Sequence, residues 1–124
     1  MKTLTLSTCA AVAALALIAT PNAQAATASL TTVVTKVLVS ADDNFGGCMA
    51  ALGVSPSNKL ATCGANWVTF DCAGVFATTD IVRAYRMLDQ AQLAYTLKKT
   101  VVVSFTDTLK ANGYCFATRI DLLP

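Results

Sequence analysis

The chain has 124 residues, 55% of them hydrophobic and 13% charged, with nine lysines and arginines against seven aspartates and no histidine or glutamate. Charges that nearly cancel and form no basic cluster argue against a nucleic-acid partner. Without histidine the usual general base and commonest metal ligand are missing, and no Gly-rich phosphate loop or nucleophile elbow is present, so no catalytic residue, metal or cofactor is expected.

The first segment reads as an export leader. Lys2 supplies a short positive start, Leu4 to Ile18 is almost wholly apolar, and Ala23-Gln24-Ala25 gives the small-x-small pattern of a cleavage site. About 15 apolar residues are too few for a typical membrane span, and no later stretch is long enough, so no membrane span is expected. Residues 1–25 are therefore expected to be a signal peptide, and localisation secreted or periplasmic. Removing those 25 of the 124 residues leaves 99, enough for one domain over 26–124, with a net charge of +1.

The Val- and Thr-rich run from Leu30 to Ser40 predicts a long strand, followed by a turn in "ADDNFGG". A second strand is expected from Cys48 to Gly53 and a third from Lys59 to Gly64. "WVTFDC", Trp67 to Cys72, alternates large apolar residues with Thr and Asp and predicts a fourth strand with one buried face. A helix follows, with Thr78 or Thr79 as N-cap and Asp80 in its first turn, closed by Lys98 and Lys99. "TVVVSF" is the fifth strand, "TDTLKANG" a loop holding the Asn112-Gly113 turn signal, and "YCFATRIDLL" the sixth. The fold class is α+β, mainly β: six strands with one long helix between strands 4 and 5.

Four cysteines follow the leader, Cys48, Cys63, Cys72 and Cys115, an even number that reads as two disulfides in an exported domain. Three connectivities are open. If "CMAAL" and "KLATC" are the arms of a hairpin turning at Ser55 to Asn58, Cys48 and Cys63 face each other, which favours Cys48–Cys63 with Cys72–Cys115. The gaps between the cysteines contain no C-x-x-C pair, a further argument against metal.

On the helix, Ile81, Ala84, Tyr85, Leu88, Ala91 and Tyr95 gather on one face at spacings of three and four, and that face is expected on the sheet. Val82, Arg86, Asp89, Leu93 and Leu97 form a second, mixed seam, in which Arg86 and Asp89 can pair. A partly apolar second side on so small a domain predicts contact with another subunit.

This order of elements resembles the B subunits of bacterial AB toxins. "RMLDQAQLAY", Arg86 to Tyr95, is similar to the central helix of the cholera type, and "VVTKVLVSADDNFGGC", Val33 to Cys48, to the first strand, turn and cysteine-bearing strand of the subtilase-cytotoxin and typhoid-toxin type. The resemblance implies an OB-fold-like barrel, a homo-pentamer formed around the helices, a separate catalytic A subunit as partner, and binding of a host-surface glycan. In the subtilase type a serine at the start of the first strand and a tyrosine on the strand after the helix contact sialic acid. Ser29, Thr31 and Thr32 occupy the first neighbourhood here and Phe105 the second.

Sugar sites combine an aromatic face with a few convergent polar groups, so Trp67, the single tryptophan, and Asn66 beside it join the glycan candidates. The competing reading of Trp67 is core, since it starts the alternating run. The acidic turn Asp42-Asp43-Asn44 offers too few oxygen ligands for calcium and reads as a plain turn. The function expected is a secreted carbohydrate-binding subunit of an oligomeric toxin. The alternative is a monomeric secreted or periplasmic inhibitor or immunity-type protein that caps a partner enzyme.

Overall fold

The computed structural model describes residues 25–76 and 80–124. Five strands and one helix run in the order β1 (Thr27–Val39), β2 (Cys48–Leu52), β3 (Trp67–Thr69), α1 (Ile81–Leu97), β4 (Thr100–Ala111) and β5 (Tyr114–Leu122). The chain is thus α+β and mainly β, as expected. The strands make one sheet, in the order β1-β2-β3-β5-β4, and β4 pairs back with β1 to close it into a ring. Every contact is antiparallel except β3 with β5.

The strands number five among the described residues, not six. The stretch expected as a third strand, Lys59 to Gly64, follows a short 3-10 turn at Pro56–Asn58 and runs on as turns. Pro56 presets the turn's φ, and the backbone N–H groups of Asn58, Lys59 and Leu60 bond back to Ser55 and Pro56 instead of to a neighbouring strand. Conversely, much of the expected loop after Phe105 is strand: β4 continues to Ala111 and hairpins into β5 through Asn112 and Gly113, whose φ values of 49° and 84° are those of the left-handed turn that Asn-Gly favours.

β1 alternates inward Leu30, Thr32 and Val34 with outward Ser29, Thr31 and Val33 until a bulge between Val34 and Lys36 shifts its phase. Its first half pairs with β4 and its second half with β2, so this one long strand serves both sides of the ring. The interior holds Phe70, Phe105, Met49, Val68, Val101 and Val103, all fully buried. Burying each such side chain is worth about 1.5–3 kcal/mol.

"WVTFDC" does not alternate in space. Only Trp67–Thr69 is strand, and Val68 through Cys72 are all buried, with the Asp71 carboxylate accepting the Val75 and Phe76 N–H groups of the segment that follows. The disulfides are Cys48–Cys72 and Cys63–Cys115, with Cα separations of 5.5 and 5.2 Å. This corrects the hairpin-based pairing. With no strand at Lys59 to Gly64, Cys63 swings to β5, where the Gly64 N–H donates to the Gly113 carbonyl at 2.8 Å. Cys48 lies beside the end of β3, and its carbonyl accepts from the Phe70 N–H at 3.1 Å.

Asp80 caps α1 itself, accepting the Val82 N–H at 3.0 Å; Thr78 and Thr79, the expected caps, lie outside the described residues. Lys98 ends the helix in the left-handed conformation, φ 55°, with its ammonium 4.2 Å from the centre of the Tyr95 ring. The face that packs on β1, β2 and β5 is Ala84, Leu88, Ala91 and Ala94. Ile81, Tyr85 and Tyr95, expected on that face, are exposed. Three alanines on the contact stripe bring the helix close to the sheet, and the tyrosines stand outside it.

Candidate functional site

Two neighbouring depressions share Thr118 and Arg119 of β5. One, of about 500 Å3, is a groove between α1 and β5. Met87, Phe116 and Ile120 give it an apolar floor, and Asp80, Arg83, Arg86, Gln90, Thr118 and Arg119 supply its polar groups. Phe116 is steadied edge-on by Phe76, their centroids 5.5 Å apart. The helical spacing of Arg83, Arg86, Met87 and Gln90 places these four along the side of α1 that faces the last strand.

The second depression lies on the outer face of β1, β4 and β5. Strand register puts Ser29 opposite Ser104 and Ser104 opposite Arg119, a row across three strands. The two serine hydroxyls are 2.7 Å apart, and Arg119 Nε donates to Asp121 Oδ1 at 2.9 Å. Thr31, two places along β1 from Ser29, is on the same outer face and lines a third shallow hollow with Ser29, Val54, Lys59 and Val102.

The arginines are unequally engaged. Arg83 meets Asp80 at 3.4 Å one turn away, and Arg119 holds Asp121. Arg86 forms no ion pair among the described residues, so the helix pairing expected between Arg86 and Asp89 is replaced by Asp80–Arg83. A guanidinium left free at the wall of a groove is available to an anionic group, which it grips through two parallel N–H donors.

The structure therefore brings together Ser29 and Thr31 of the glycan candidates, and adds Ser104, Thr118 and Arg119. It separates the others. Thr32 points inward, where its Oγ1 accepts the Val54 N–H at 2.9 Å and fixes the turn after β2. Phe105 is 0% exposed and belongs to the interior, which leaves it no face for a ligand. Asn66 is exposed, with φ 63°, and Trp67 is half-buried; both sit on the β1–β2–β3 side of the ring, where Trp67 pairs with Ala51 and Ala51 with Lys36, away from the Ser29 row.

All five residues of the second helical seam face solvent: Val82, Arg86, Asp89, Leu93 and Leu97. Val82 is 60% exposed, Leu93 43% and Leu97 53%. Sequence reasoning missed Arg83, Gln90 and Arg119 as groove residues. The available signal was that Arg119 is the single cation of the last strand.

Among the described residues no group of three or more metal-ligating side chains comes together, and no helix is long and apolar enough to cross a membrane. No protein-family model, curated protein or solved structure matches this chain. The resemblance to toxin B subunits accordingly rests on the quoted motifs, and the order of elements read with them loses one of the four strands expected before the helix.

Proposed function

We propose that the chain is a secreted carbohydrate-binding subunit of OB-fold type that assembles as a homo-pentamer and carries a separate catalytic subunit to a host-surface glycan. The observation that carries this reading is the outer side of α1, where Val82, Leu93 and Leu97 are exposed among the described residues. The five-stranded closed sheet supports the OB assignment.

For the ligand, the α1–β5 groove and the adjoining Ser29–Ser104–Arg119 row combine an apolar floor, hydroxyl groups and arginines, the mixture that a sugar ring bearing an acidic group requires. A carboxylate or sulfate would meet Arg86 and Arg119, and ring hydroxyls would meet Ser29, Ser104 and Thr118. Weak single sites repeated around a ring would give strong binding through avidity.

A glycan array probed with purified protein tests the ligand. Acidic glycans are expected to give signal, and Arg86→Ala or Arg119→Ala to weaken it about 10- to 100-fold, the worth of one charge-assisted hydrogen bond. Folded oligomer that binds no glycan would contradict the reading.

A further inference from the structure

At the start of β1, the peptide group of Ala26 is held from both sides. Its N–H donates to Asp107 Oδ1 at 3.1 Å, and its carbonyl accepts from the Asp107 N–H at 3.2 Å and from Thr106 Oγ1 at 3.0 Å. The other oxygen of the same carboxylate, Oδ2, accepts from Thr62 Oγ1 at 2.9 Å. Asp107, Thr106 and Thr62 thus form a small receptor around one residue, and that residue is the one immediately after Ala23-Gln24-Ala25. Ala25 itself is exposed.

We propose that this receptor is a binding site for the chain's own processed N-terminus: cleavage between Ala25 and Ala26 converts a neutral amide donor into an α-ammonium that Asp107 holds as an ion pair. The proposal rests on the leader reading and not on glycan binding. Hydrolysis by a leader peptidase of the exporting cell adds one water across the Ala25–Ala26 bond. The carboxylate stays on Ala25 and departs with the leader, and the freed amine of Ala26 takes up a proton at neutral pH. The carboxylate is prepared for a cation. The Thr62 hydroxyl, the Ala26 N–H and the charge of Lys110 on the same strand all hold Asp107 below its ordinary range, so it is ionised wherever the ammonium is. Lys110 itself reaches toward the Thr62 carbonyl, at 3.5 Å.

The pH dependence has a definite sign. A carboxylate partner raises the pKa of an α-amino group above its ordinary value of about 8, so the stabilisation is complete below that pH and is lost as pH rises through the higher, folded value. Three exported forms test this by thermal melting between pH 6 and pH 10: the chain beginning at Ala26, the same chain with Asp107→Asn, and a chain that keeps Ala23-Gln24-Ala25. The first is expected to lose about 3 °C more than the other two over that range, and the intact mass of the naturally exported product to place its first residue at Ala26. A product beginning elsewhere, or three parallel pH profiles, would overturn the proposal. If Asp107→Asn does not fold, the extended chain carries the comparison alone, because its carboxylate is intact and only its amine has moved.

Discussion

Asp71 is 0% exposed and sits at φ 63°, a conformation that Asp and Asn tolerate better than most residues. Its two oxygens accept the backbone N–H groups of Val75 at 2.8 Å and Phe76 at 2.9 Å, tying down the loop that leads away from β3. Asp71→Ala would take the partner from both partly buried donors, and is expected to cost about 2 kcal/mol in urea unfolding; Asp71→Asn, which keeps one acceptor, should cost clearly less. Thr69 Oγ1, which donates to the Phe45 carbonyl at 2.8 Å, closes the other side of this buried knot. Gly46 lies against it with φ 72°, and a Cβ there would run into that hydroxyl, so Gly46→Ala should destabilise through both strain and collision. Asp107 acts at the surface. Because its pKa is lowered, its share of stability is present above about pH 4 and is lost as pH falls below, so Asp107→Asn should flatten the acid limb of a stability profile.

At the scale of elements, the two disulfides close 24- and 52-residue separations, and replacing each pair with serine is expected to cost about 3.5 and about 4 kcal/mol respectively on the chain-entropy account, measured by denaturant unfolding. The leucines outside α1 should behave differently. Leu93 and Leu97 are exposed, so in Leu93→Asp and Leu97→Asp the unfolding free energy should move by no more than about 0.5 kcal/mol while light scattering reports a monomer in place of an assembly. The elements that were legible in the sequence are those whose signal is local. Val-rich β1, the Asn112-Gly113 turn and the helix from its 3.6-residue period needed no partner to be read. The pairing of the cysteines did not behave this way, because whether Lys59 to Gly64 becomes a strand depends on a neighbour that the sequence does not display, and Pro56 tipped it into a turn. Nor did the buried stripe of α1: Tyr85 and Tyr95 are apolar enough to pack on a sheet, and only the closeness permitted by Ala84, Ala91 and Ala94 puts them outside. In the same way Thr106 to Ala111 looked polar enough for a loop, but a strand with an exposed face alternates polar residues outward.

The whole molecule divides its surfaces. The strands close into a ring, and the side-chain surfaces outside it are where an assembly can be built. Two such surfaces lie along α1: the mixed Val82, Leu93 and Leu97 side, and the arginine-lined groove that α1 shares with β5. The candidate site was only half legible for this reason. Ser29 and Thr31 came from their place on the first strand, whereas Arg119 enters the site because β5 returns beside β4, and Arg83 and Gln90 because α1 crosses the end of β5. If the first surface joins copies and the second holds an acidic sugar, then binding strength depends on assembly. The direct test is surface plasmon resonance on a chip carrying an acidic glycan, comparing the native protein with a folded Leu93→Asp, Leu97→Asp double variant. The variant is expected to bind still, but about 10² to 10⁴ times more weakly, through loss of avidity; equal binding by the two proteins, or none by the native assembly, would overturn the link between assembly and binding.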